Sequence, residues 1–232
     1  MPILRSESGV NFDNWTVVIG DGNYTAPGEP PVNSNDISTV NKTNHSVLKA
    51  NVLNRRIMVH NITYHKIVDD DAMTCLHTAK YKFKMPYTIS TANTDFNGQT
   101  VEGGLFVWDG PDTELDYGLA FQWVINPWDA NYKSFRYWDG STWQALGTLE
   151  PDTQYHTVEF ELDIPNEEAY LTLDGFTFLN NVFSATTKTG WSSIIEARFQ
   201  AETISIFPPA TGSVPLQKVN FKDWEWEWST LV

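Results

Sequence analysis

Residues able to bind or activate a substrate gather in three stretches of this chain. Glu196, Arg198, Gln200 and Glu202 alternate with Ala197, Phe199 and Ala201. Successive side chains of a strand point to opposite faces, so an inward Phe199 puts the four polar residues in one outward row. In Tyr117–Ile125, inward Leu119, Phe121 and Trp123 leave Gln122 outside, beside the small Gly118 and Ala120. In Phe135–Trp138, inward Phe135 and Tyr137 leave Arg136 and Trp138 outside. Trp108 falls on the outward side of its own strand.

Placed side by side, Gln122, Arg136, Arg198 and Gln200 make a hydrogen-bonding floor with an aromatic wall. Such a floor suits the hydroxyls of a sugar, or a carbonyl to be polarised in a small-molecule reaction. An ordinary wet face with surface ion pairs is the competing reading. Trp128, Tyr132 and Trp143 lie in turn-rich segments, where local packing does not demand an aromatic ring. His60 shares a side of its strand with Met58 and Tyr64 and is a further base or binding group.

Paired carboxylates would give acid–base chemistry. Glu159 with Glu161, and Glu225 with Glu227, have the spacing for one strand face. Alternating acids are also the usual wet side of a strand, and Trp224, Trp226 and Trp228 read as the matching core side. Asp109, Asp112, Glu114 and Asp116 crowd one loop, and Asp69, Asp70 and Asp71 another. Hard oxygen ligands of this kind suit Ca²⁺. A structural Ca²⁺ is the one ion the loops suggest, and no other cofactor is implied. Five scattered histidines do not make a transition-metal set.

Positioning these residues requires many short strands. Ala79–Met85 alternates Ala79, Tyr81, Phe83 and Met85 with three lysines, and His156–Ile164 alternates Val158, Phe160 and Leu162 with polar residues. The Pro- and Gly-rich stretch 23–44 reads as a long surface loop. No linker divides the 232 residues, so they are expected to form a single all-β domain, a two-sheet antiparallel sandwich. A net charge of −14 repels phosphate backbones and anionic lipid, which argues against nucleic acid and membrane as partners. The single cysteine, Cys75, sits in an apolar stretch and reads as a buried small hydrophobe. Sequons at Asn14, Asn23, Asn41, Asn44 and Asn61 suggest glycosylation and the secretory pathway or secretion. The oligomeric state is open between a monomer and a homodimer.

Tyr155-His156-Thr157-Val158-Glu159-Phe160, followed by Ala169-Tyr170-Leu171-Thr172-Leu173-Asp174-Gly175, resembles the hairpin of laminin-G-like and other concanavalin A-like domains. Tyr137-Trp138-Asp139-Gly140 and Val219–Trp228 fall where that superfamily places strands. The resemblance implies a concanavalin A-like jelly roll, a fold shared by lectins, glycosidases, lyases and adhesion modules. It also implies a structural role for His156. Laminarinase-like members carry Glu-x-Asp-x-x-Glu on one strand, and jelly-roll alginate lyases carry Gln-Ile-His; neither motif is present. The segments 54–60, 79–87, 102–110 and 197–209 resemble the fungal hetero-Diels–Alderases of tropolone–sesquiterpene biosynthesis.

Three functions follow. A pericyclic cyclase needs no acid–base pair, and the absence of a carboxylate motif ranks it first. It would hold apolar partners in a deep, mostly apolar pocket, with Arg136, Arg198 and Gln122 polarising a carbonyl. Trp108, Trp138, Gln200, Glu202, Trp128, Tyr132 and His60 would then bind substrate. A secreted glycan-binding lectin-like module comes second, and a polysaccharide hydrolase or lyase third.

Overall fold

The computed structural model describes residues 2–52, 55–88, 98–108, 117–127, 129–180, 184–185, 195–206 and 218–230. Seventeen strands lie among them: β1 (Ile3–Gly9), β2 (Thr16–Ile19), β3 (Tyr24–Thr25), β4 (Ile37–Asn41), β5 (Ser46–Ala50), β6 (Ile57–Val68), β7 (Cys75–Lys84), β8 (Gly98–Trp108), β9 (Tyr117–Val124), β10 (Ser134–Trp138), β11 (Trp143–Thr148), β12 (His156–Asp163), β13 (Glu168–Leu173), β14 (Phe176–Asn180), β15 (Ser184–Ala185), β16 (Glu196–Ile206) and β17 (Lys218–Thr230). One sheet runs β14-β13-β12-β7-β17-β5-β4, with β1 also on β17. The other runs β11-β10-β9-β8-β16-β6-β2, with β15 on β9 and β3 on β6. Every pairing among them is antiparallel. The chain is therefore a two-sheet antiparallel jelly roll. No helix among the described residues is long and apolar enough to cross a membrane.

The sheets meet along an aromatic core. Tyr81 stacks on Phe199 with ring centroids 4.9 Å apart, and Phe83 stacks on Phe121 at 5.4 Å. Each pair joins β7 to the opposite sheet, so the inward alternation of Ala79–Met85 is as expected. The three β17 tryptophans are buried, and Cys75 is buried and free. A bulge between Lys222 and Glu225, with Asp223 at φ 52, shifts the parity of β17. It lets Val219 and Phe221 on one side, and Trp224, Trp226 and Trp228 on the other, all face the core.

The β12–β13 strands and the Asp174-Gly175 turn bear out the structural reading of His156. Asp174 and Gly175 both have positive φ (51° and 81°), as a tight turn of this kind needs. Asp174 accepts from the Thr157 amide at 2.8 Å and binds His156 Nδ1 at 2.7 Å, so the histidine ties turn to strand. Stretch 23–44 is not one loop. Asn33 and Asp36 form a capping box around a 3-10 turn, Ser34–Asp36, and Asp36, buried and paired with Arg55, immediately precedes strand β4. A buried ion pair fixes a segment whose composition reads as irregular. Trp143, expected in a loop, opens β11 instead, because it pairs with Trp138 across a hairpin.

Candidate functional site

The nine-stranded sheet turns Val101, Leu105, Phe121, Ala197 and Phe199 to the core. The residues between them face away from it, and register lines them up. Arg136 pairs with Gln122, Gln122 with Glu102, and Glu102 with Glu202. One straight row across β10, β9, β8 and β16 therefore holds Arg136, Gln122, Glu102 and Glu202. On β6, Ile62 continues the row, and His60 lies two residues back on the same side.

This row is recessed. Glu102 is 8% exposed, Gln122 9%, Gln200 8% and Glu202 5%, although all four point away from the core. Burial at that level demands partners. Arg136 Nη1 donates to Gln122 Oε1 at 3.0 Å, and its Nη2 donates to the Trp143 carbonyl at 3.0 Å. Gln122 Nε2 donates to Glu102 Oε1 at 2.7 Å. Gln200 Nε2 donates to Glu202 Oε1, and His60 Nε2 bonds Glu202 Oε2. His60 Nδ1 faces the Asp21 carbonyl at 3.2 Å, which can only accept, so Nδ1 carries a proton. With Nε2 against a carboxylate, the ring is held as imidazolium.

Electrostatics separates the two carboxyls. Burial, together with the neighbouring Glu202 charge, raises Glu102 to about 7. Burial lowers the His60 basicity, but the hydrogen bond and charge of Glu202 outweigh it and raise His60 to about 9. Near neutrality the row thus contains an acid that can release a proton beside an imidazolium–carboxylate pair. One ligand atom each from His60, Glu102 and Glu202 lies within 4.8 Å of the others, close enough for a divalent cation. Both oxygens of Glu202 already accept hydrogen bonds, however, and Gln122 and Gln200 aim amide N–H groups at the carboxyls. A cation would have to displace these donors, so the set fits proton transfer better than metal ligation.

A glycine pair makes the row. A Cβ on Gly103 would lie 1.7 Å from the Tyr81 hydroxyl, which donates to the Gln200 carbonyl at 3.2 Å. A Cβ on Gly104 would lie 2.3 Å from the Phe106 ring, which lies over that glycine on the outer face. The hollow expected over the small residues is thus partly filled by Phe106.

The sequence-derived residues divide into two groups on this face. Gln122, Arg136, Gln200, Glu202 and His60 join the row. Arg198 and Trp108 do not: Arg198 lies four residues from Glu202 along β16, about 13 Å at strand rise. Its guanidinium carbon is 4.2 Å from the Tyr64 ring centroid and 4.7 Å from that of Trp108. Trp138 is half-buried and packs edge-on against Trp143 at 5.4 Å. Tyr132 sits in the turn before β10, with Lys133 Nζ 5.5 Å from its ring, and no contact to the row is seen among the described residues. Trp128 and the acidic loop 109–116 lie outside the described residues. Asp69 accepts from the Asp71 amide at 3.0 Å and so caps its own turn.

Asn61 is a correction. It is fully buried, and its Nδ2 donates to the Ser38 and Lys49 carbonyls at 3.1 and 2.9 Å, so no glycan can be attached there in the fold. Asn14, Asn23, Asn41 and Asn44 are exposed.

Sequence reasoning missed Glu102. Alternation alone marks only Gly104–Trp108 as a strand, whereas β8 begins at Gly98. The signal was present: Val101, Leu105 and Val107 share one parity, which puts Glu102 on the side of Trp108. The reasoning that favoured a cyclase also changes. It rested on the absence of a known carboxylate motif and predicted a mostly apolar pocket, whereas this row holds a carboxylate pair in a polar network.

No protein-family model matches the chain, and no curated protein matches it. Solved structures do resemble it in fold. The β-glucanase of Bacillus licheniformis superposes with TM-score 0.52 at 14% identity, over 98% of both chains. The lectin UEA-II complexed with galactose gives 0.51 at 13%, over 99% of this chain and 100% of that one. A galectin-like protein of unknown function from Bacillus subtilis gives 0.52 at 8%, over 99% and 97%. These likenesses show the jelly-roll fold. None of them is a Diels–Alderase.

Proposed function

We propose that the recessed row is a carbohydrate site and that it hydrolyses a glycosidic bond, with Glu102 as general acid and Glu202 as the carboxylate nucleophile. The observation that carries this reading is the Glu102–Glu202 pair, two buried carboxyls directly opposite each other, with burial favouring the protonated form of Glu102. Glycosidases need one carboxyl to protonate the leaving oxygen and one to act at the sugar carbon. Glu102, raised to about 7, keeps its proton at mildly acidic pH. The His60 imidazolium and the Gln200 amide hold Glu202 in place, and Arg136 holds Gln122 against Glu102. Carboxyl oxygens within 4.8 Å of each other match the close spacing of retaining enzymes, about 5–5.5 Å, rather than the wider gap that admits a water. The β-glucanase and galactose-bound lectin with this fold make a sugar the natural occupant.

The low exposure of both glutamates favours a second reading, in which the row only binds glycan and stabilises its floor. Incubation with a panel of oligosaccharides, followed by proton NMR of the first-formed anomer, separates the two. Hydrolysis with retained configuration is expected. Binding without products supports the lectin reading, and products of inverted configuration would remove Glu202 as nucleophile.

A further inference from the structure

Arg198 is the cation on this face that the acid–base row does not use. Its guanidinium carbon lies over two rings, 4.2 Å from the Tyr64 centroid and 4.7 Å from that of Trp108. The neighbouring carboxylates are engaged elsewhere. Glu196 bonds Lys66 Nζ at 2.7 Å, and Glu202 bonds His60 and Gln200. Arg198 Nε is buried and has no hydrogen-bond partner among the described residues. Arg55 and Arg136 also leave Nε unpartnered, but Arg5, Arg55, Arg56, Lys66, Lys80 and Lys133 each have a carboxylate within salt-bridge distance, and among the described residues Arg198 has none. With Nε closed to solvent, the outer Nη edge is the part of the guanidinium a ligand can meet, and the group that fits that edge best is a planar carboxylate.

We propose that Arg198 receives the carboxylate of a uronic acid residue, so that the glycan bound in the recess is an acidic one. This rests on reading the recess as a carbohydrate site. The aromatic pair fixes the guanidinium plane before the ligand arrives, so little side-chain freedom is lost on binding. Arg198 lies about 13 Å along β16 from Glu202, so the charged residue would sit more than one sugar unit away from the cleaved bond. The chain's −14 charge repels an anion at long range, and Arg198 supplies the local exception.

The test is calorimetric titration of the intact protein, carrying Glu202→Gln to stop turnover, with galacturonate, glucuronate and mannuronate trisaccharides. Each is paired with its carboxyl-reduced, neutral counterpart. At least one acidic trisaccharide is expected to bind about tenfold to a hundredfold more tightly than its neutral partner, the worth of one charge-assisted hydrogen-bonded contact. Arg198→Gln should bring that ratio close to one, and Arg198→Lys should restore part of it. A purely structural role for Arg198 would weaken acidic and neutral ligands alike and leave the ratio unchanged. Equal binding of both forms, binding of neither, or a ratio that survives Arg198→Gln would overturn the proposal. The hydrolytic reading fails separately: with the native Glu202, acidic preference without products leaves Arg198's role standing, whereas turnover of neutral glycans without acidic preference removes it alone.

Discussion

Two faces of this sandwich carry alternating glutamates, and they behave in opposite ways. On the eight-stranded sheet, Glu159, Glu161, Glu225 and Glu227 line an open depression of about 500 Å³. There Glu225 pairs with Lys80 at 2.9 Å, and Lys82 reaches Asp223 at 3.0 Å. Such exposed cross-strand pairs are screened by water and each contributes little. On the nine-stranded sheet, Glu102 and Glu202 stand directly opposite each other, buried, with amides and one imidazolium as partners. Like charges opposite one another are unfavourable, and the strain is relieved by keeping a proton on Glu102. A carboxylate pair on a strand therefore says little until its partners are known: lysines mark a solvated face, whereas amides and a histidine mark a buried polar network.

Charge-neutralising substitutions should separate the faces most widely. Glu102→Gln and Glu202→Gln are each expected to lower kcat about 10²–10⁴-fold on any glycoside the protein cleaves, the usual worth of a positioned proton donor or nucleophile. Glu159→Gln and Glu225→Gln should leave kcat within about twofold. Comparable losses on both faces, read from initial rates, would erase the distinction.

The next effect tests how the core supports the recess. Gly103→Ala forces a methyl into the Tyr81 hydroxyl and should cost about 1–3 kcal/mol in urea denaturation. No loss would mean that Tyr81 and the Gln200 strand are not locked together.

Proton linkage gives a smaller, signed difference. The folded protein holds the Glu102 proton more tightly than the unfolded chain, so stability from this group is lost as pH rises from about 4.5 through about 7. His60, raised from 6.5 to about 9, adds a loss between those values. The stability of the native protein minus that of Glu102→Gln should therefore fall between pH 4.5 and 7, by on the order of 1 kcal/mol or more, and flatten above. A difference that rises over this interval would reverse the assignment. Least of all, Glu225→Gln should change stability by a few tenths of a kcal/mol, as an exposed pair does.

The fold was legible because its signals are periodic. Tyr81 and Phe83, Val158 and Phe160, and Phe121 and Trp123 each fall inward on simple alternation, and Asp174-Gly175 marks its own turn. The site was half legible. The same alternation placed Gln122, Arg136, Gln200 and Glu202 on one face, and the register brought them together. Glu102 was hidden by the glycine pair after it, whose meaning lies in what touches it: the Tyr81 hydroxyl and the Phe106 ring arrive from distant positions or fold back. Asn61 misled for a similar reason. A sequon is read from three adjacent residues, whereas its burial is set by Ser38 and Lys49 on other strands.

The most direct measurement is a titration of the Glu102 carboxyl itself, by infrared difference spectroscopy of the native protein against Glu102→Gln, with no substrate needed. A protonated carboxyl band is expected to persist through pH 6 and to lose about half its intensity around 7. A Glu102 already ionised by about pH 5 would contradict it.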